Sequence, residues 1–188
     1  MNMRPLLSAL ALGLLSACAS APVQFYTIAP KASDMTLPQK NAPVIYVPRL
    51  SLPDYLDTQD ILVRDGSRLV RSSNGRWASR LSQSATDLIV ARLSQNWPQK
   101  MVTAYPPIDT PDARLGITIE RLDLLKEGQA TLLASWSELP RDETSPPLQG
   151  HATVSVQGSV ADDAAKAALL QQLFERLADK IATSLPPR

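Results

Sequence analysis

The spacing of apolar residues changes several times along the chain, and each change marks a different predicted element. Leu6 to Leu15 is an apolar run broken only by Ser8 and Gly13. Small residues at 19–22, and then Pro30 to Pro43 with Lys31, Ser33, Asp34, Pro38, Lys40 and Asn41, have no periodicity and read as tether and loop. Between them, Val23-Gln24-Phe25-Tyr26-Thr27-Ile28 is rich in β-branched and aromatic residues and predicts a first strand. Val44-Ile45-Tyr46-Val47, ended by Pro48, predicts a second. Ile61 to Arg64 and Ser67 to Arg71 flank Asp65-Gly66, a hairpin signal, so this region is expected to form a small antiparallel sheet. Ser72-Ser73-Asn74-Gly75 then reads as a loop.

From Leu81 the period becomes helical: Leu81, Ala85, Ile89, Leu93 and Trp97, with Leu88 beside them, form an i, i+4 stripe that stops at Pro98. Met101 to Tyr105 predicts another strand. Leu115, Ile117 and Ile119 alternate with polar or small residues, and the phase then slips by one so that Leu122 and Leu124 continue it. A β-bulge near Glu120-Arg121 would restore the facing. With a turn at Gly128-Gln129, and Leu132, Ala134 and Trp136 alternating after it, residues 114–139 are expected to be a long hairpin. A polar, proline-rich loop at Arg141 to Pro147 leads into a last strand carrying Ala152, Val154 and Val156. A closing helix starts near Asp162-Asp163, where carboxylates suit the helix dipole, and turns Leu170, Phe174, Leu177 and Ile181 to the core before Pro186-Pro187. The pattern implies an α+β fold, a mostly antiparallel mixed sheet with two amphipathic helices packed on it.

The N-terminal run needs a separate reading. It follows a single cation, Arg4, and is about ten residues long, half of the ~20 that a membrane-spanning helix needs, which is the layout of a signal peptide. It ends Leu15-Ser16-Ala17-Cys18, which resembles the lipobox of type II signal peptides. Residues 1–17 are therefore expected to be removed, 18–22 to form a lipidated tether, and 23–188 to form one domain. Cys18 is the only cysteine among 188 residues, so no intramolecular disulfide can form, and a lone thiol there is best explained as an anchor. An N-acyl and S-diacylglycerol group, at ~0.8 kcal/mol per buried CH₂, would hold the chain on a membrane permanently. Ala19 in the next position resembles an outer-membrane rather than an inner-membrane sorting signal.

Formal net charge is +1 for the whole chain, and losing Arg4 with the leader makes it neutral, which argues against nucleic acid or a polybasic membrane clamp as partner. Catalytic and metal chemistry find little material. One histidine, His151, is expected just before a strand; a zinc site needs three or four ligands. Asp54, Asp57 and Asp60, three apart, suggest an oxygen cage for Ca²⁺ but lack the glycine and terminal glutamate of an EF-hand, and so read as solvated loop acids. No G-x-S-x-G or phosphate-loop pattern occurs. Neither a metal nor a cofactor is expected, and no catalytic residue is assigned.

More specific are Leu52-Pro53-Asp54-Tyr55-Leu56-Asp57, then Gln59, Ile61 and Val63-Arg64, then Arg76-Trp77-Ala78 ahead of the Leu81 helix. With the lipobox and the Phe25-Tyr26-Thr27-Ile28 strand, this order resembles the PqiC (YmbA) family of ABC-type transport auxiliary lipoproteins, over nearly the whole mature chain. Ser79-Arg80, where an acidic residue and proline would be expected, and the stretch after residue 100 depart from the pattern. The resemblance implies a non-enzymatic lipoprotein of the outer membrane that docks a periplasmic MCE-domain protein of an ABC lipid-transport system, a ring of subunits being one arrangement. Pro53, Asp54, Tyr55, Leu56, Arg64 and Trp77 are the candidate interface or motif residues. Arg64 is expected to fix the loop by pairing with Asp54 or Asp57. Two roles stay open for Tyr55, partner contact or internal packing, whereas Trp77 is read first as packing the sheet against the Leu81 helix. Two other functions are compatible with an anchored α+β domain: a plug or assembly factor for an outer-membrane β-barrel, and a tethered hydrolase using His151 with a serine and a carboxylate.

Overall fold

A computed structural model describes residues 21–30 and 40–185. Ten elements follow one another: β1 (Gln24–Tyr26), β2 (Val44–Tyr46), β3 (Asp60–Asp65), β4 (Arg68–Trp77), α1 (Leu81–Asn96), β5 (Met101–Thr103), β6 (Ala113–Leu124), β7 (Gln129–Pro140), β8 (Leu148–Gln157) and α2 (Asp163–Ser184). The strands make two mixed sheets rather than one, of order β1-β4-β3 and β5-β2-β6-β7-β8.

The long hairpin is β6 and β7, whose register slips between Ile119 and Arg121, where the hydrophobic phase predicted a bulge. Because of that slip, Leu115, Ile117 and Ile119 before it and Leu122 and Leu124 after it are all buried. Gly128, with φ +88°, supplies the left-handed residue that leads into β7. The α+β class is as expected, and β3–β4, β6–β7 and β7–β8 are antiparallel.

Three local expectations are corrected. β2 does not join the β3–β4 hairpin; it lies parallel between β5 and β6 in the larger sheet. Nothing in a three-residue apolar strand selects its neighbour, and Ile45 reaches the main core from that position. Ser72 to Gly75 are strand, not loop: they bow away from β3, whose register jumps between Asp60 and Leu62, and Gly75 pairs in parallel with Gln24 of β1. His151 lies within β8 instead of preceding it.

The stripe from Leu81 to Trp97 is buried as predicted, and so are Leu170, Phe174, Leu177 and Ile181 of α2. The buried face of α1 is wider than the apolar stripe, since Ser82, Ser84 and Thr86 are buried too. Thr86 itself is satisfied: its hydroxyl donates to the Ser82 carbonyl (2.7 Å) and accepts from the Leu50 amide (3.0 Å), whereas the buried Ser82 hydroxyl has no partner among the described residues. α2 is capped by the Asp162 carboxylate, which accepts from the Ala165 amide (2.7 Å).

Candidate functional site

The segment from Ser51 to Asp60 is short of regular structure but heavily tied. At its start, the Ser51 amide donates to the Ile117 carbonyl (3.0 Å) and the Ser51 carbonyl accepts from the Ile119 amide (2.8 Å), pinning the chain to β6. Pro53 then presets its backbone angle, and two consecutive turns follow, Leu56 amide to Pro53 carbonyl (2.9 Å) and Asp57 amide to Asp54 carbonyl (3.2 Å). Their outcome is to bury Leu56 and to present Tyr55, 40% exposed, beside an exposed Asp54 and a half-buried Pro53.

The far end is held by the segment that opens α1. The residue preceding that helix is Arg80, whose side chain cannot accept from the free amides of the first turn. The Asp57 carboxylate accepts from the Ser82 amide instead (3.4 Å), while Arg80 donates to the Asp57 carbonyl (2.7 Å). One residue earlier, the Ser79 hydroxyl meets that of Ser84 (2.6 Å). Asp60 pairs with Arg76 (3.2 Å), and the Gln59 carbonyl accepts from the Trp77 amide (2.7 Å). The Pro-x-Tyr-Leu and Arg-Trp-Ala motifs, separate in sequence, are thus one structural unit. Trp77 is 2% exposed in the core cluster that also holds Leu81 and Ala85, so its role is packing.

Arg64 makes neither of the ion pairs expected of it. It bonds the Asp123 carboxylate on β6, which also accepts from Arg121 (2.6 Å). The reason is electrostatic: the Asp123 side chain is only 8% exposed and needs a counter-charge, whereas Asp54 is in water and Asp57 is engaged by Arg80. Burial disfavours the ionised Asp123, but the hydrogen bonds from Arg64 and Arg121 outweigh it and hold its carboxyl below the ordinary carboxylate value. The same bond from Asp123, against the cost of burial and with the neighbouring Tyr55 adding to it, raises the Arg64 guanidinium above its already high value. Arg64 therefore ties β3 to the larger sheet, and it does so from outside the Tyr55 loop.

The other candidates fall in separate places. Asp57 and Asp60 face arginines and Asp54 faces solvent, and among the described residues no group of three acids, histidines or cysteines could hold a metal. His151 stands opposite Ser135 across β7 and β8, at a surface groove of about 650 Å³ between Arg49 and Arg114; no carboxylate lines it. Leu15, Ser16, Ala17 and Cys18 lie outside the described residues. No helix among the described residues is long and apolar enough to cross a membrane. Asp123 is the site residue that reading the sequence misses. Its one signal is a carboxylate between two apolar residues, Leu122 and Leu124, immediately after the bulge.

Comparison with known proteins agrees with this layout. A crystal structure of an uncharacterized protein superposes with a TM-score of 0.72 at 18% identity, covering 87% of this chain and 98% of its own. A protein of Xanthomonas campestris, XCC0632, superposes with a TM-score of 0.62 at 20% identity, covering 85% and 93%. At such identities the likeness shows the fold. No curated protein sequence is a significant match. The family described as ABC-type transport auxiliary lipoprotein component matches residues 26–182, a span that contains the Tyr55 loop, Arg64, Trp77 and Asp123. The chain belongs to the ABC-type transport auxiliary lipoprotein family.

Proposed function

We propose that lipid on Cys18 holds this protein at the periplasmic face of the outer membrane, where it docks a periplasmic MCE-domain protein of an ABC-type transport system. In this reading residues 1–17 are the removed leader, 18–22 the tether and 23–188 the docking domain, acting without catalysis or a cofactor. Pro53, Asp54 and Tyr55 make the contact, with Arg64, Trp77 and the buried Leu56 as its support. The supporting observation is Tyr55, 40% exposed on a loop that is bonded at both ends. Tyrosine offers large contact area at low entropic cost, and a loop already held in one shape loses little freedom on binding.

The test is affinity purification of the tagged, lipidated protein from detergent-solubilised membranes, with mass spectrometry of what accompanies it. An MCE-domain protein or its ABC partners should co-purify with the native chain and be lost with Tyr55→Ala. Recovery of a β-barrel in their place would replace this reading with the assembly role. Recovery of no specific partner would overturn docking altogether.

A further inference from the structure

β8 closes one end of the five-stranded sheet, and among the described residues no strand pairs with its free side. The Gly158 amide bonds the Gly128 carbonyl (2.9 Å), which fixes the parity of the β7–β8 ladder: even-numbered residues of β8 bond to β7. The amides and carbonyls of Gln149, His151, Thr153 and Ser155 therefore point outward. The Arg176 guanidinium confirms this at one position, donating to the Ser155 carbonyl (3.1 Å) from outside the sheet. It occupies the place that the amide of a further strand would take.

Exposed edges are ordinarily blunted by prolines, lysines or bulges. This one has none of them: its register runs without a shift from Gln157 to Leu148, and the outward residues are polar, with no lysine, arginine or carboxylate among them. The opposite edge is β5, three residues long. Alongside β8, a cavity of about 360 Å³ lies between Thr153–Ser155 and α2, walled by Arg176, Asp179, Lys180 and Thr183. The charge of this wall is one-sided. Asp179 is engaged by Arg92 (2.8 Å) and Asn96 (2.9 Å), which hold its carboxyl below the usual range, the Arg92 hydrogen bond contributing most. Arg176 and Lys180 are exposed and make no ion pair among the described residues.

We infer that the groove between β8 and α2 binds an extended acidic segment of a partner protein by strand addition. The backbone of the segment would continue the sheet beyond β8 at ~4.8 Å, and its carboxylates would face Arg176 and Lys180. The site does not rest on the Tyr55 docking role, since it lies on other elements.

The experiment uses the full lipidated chain in detergent and two fluorescein-labelled decapeptides, one alternating valine and glutamate, the other valine and lysine. Polarisation should report saturable binding of the glutamate peptide only. Hydrogen exchange should show new protection in 148–157. Arg176→Glu with Lys180→Glu should weaken binding at least tenfold. Thr153→Pro should abolish it, because it removes an outward amide and leaves the β7 ladder whole. Equal binding of both peptides, protection confined elsewhere, or no binding at millimolar peptide overturns the inference. So does an edge-paired dimer that Thr153→Pro dissolves and the glutamate peptide does not compete with, for the occupant is then a second copy of the chain. If Thr153→Pro does not fold, the charge-reversed variant decides alone.

Discussion

Arg64 of β3 and Asp123 of β6 form an ion pair that joins the two sheets. Around it the Arg64 carbonyl accepts from the Lys126 amide (3.3 Å) and Asp65 pairs with Lys126 (2.5 Å), so the hairpin of the small sheet is stitched to the end of the large one. Since Arg64 also sits beside Tyr55, the same contact that closes the sheets supports the proposed docking loop.

Removing one partner of this pair should cost more than removing both. Arg64→Met leaves a carboxylate of 8% exposure with only the exposed Arg121, and a loss of about 1–3 kcal/mol is expected. Arg64→Met combined with Asp123→Leu should be less destabilised than the sum of the two single changes. Urea denaturation of the four proteins measures this, and strict additivity would contradict the coupling.

Stability should fall on the acid side. Asp123 and Asp163 are each opposed by burial and Asp179 is opposed by it in part, yet all three are held below the ordinary carboxylate value: Asp123 by Arg64 and Arg121, Asp163 by Lys166 and Ser72, Asp179 chiefly by Arg92. A carboxylate with a lowered folded pKa stabilises fully above its unfolded pKa of ~3.9, and that contribution is lost as pH falls through the folded value. Thermal melting should therefore change little from pH 7 to 5 and drop below about pH 4, with a shallower drop in Asp123→Asn.

Two aromatic residues of the shared motif should separate cleanly. Trp77, 2% exposed, is expected to cost about 3–5 kcal/mol as Trp77→Ala. Tyr55→Ala, at an exposed position, should cost under about 1 kcal/mol. Chemical denaturation of both variants tests this. A large loss in Tyr55→Ala would mean that its effect on co-purification reflects folding.

Two strand glycines should respond oppositely to alanine. A Cβ at Gly150 would come within 2.5 Å of the Trp136 ring, itself buried and bonded through its indole N–H to Ser184 (3.2 Å). Gly150→Ala should cost about 1–3 kcal/mol. At Gly116 the nearest atom would be 3.9 Å away, so Gly116→Ala should be neutral within about 0.5 kcal/mol or slightly stabilising. Melting temperatures of the two variants give the comparison.

Much of the fold was legible because its signals are local. The Leu81 stripe, the Leu170 to Ile181 face and the phase slip at Glu120-Arg121 each follow from the repeat of one element, and burial of one face is all that such a repeat specifies. The family, too, was legible from the order of short motifs around Tyr55 and Trp77. Only the tertiary structure decided which strands are neighbours. β2 and β1 are short apolar runs that could satisfy many partners, and parallel pairing needs distant segments brought together. The same holds for charge. Sequence proximity put Arg64 near Asp54 and Asp57, but an ion pair forms where desolvation makes a counter-charge necessary, and that place, Asp123, is defined only once β6 has been buried against its neighbours.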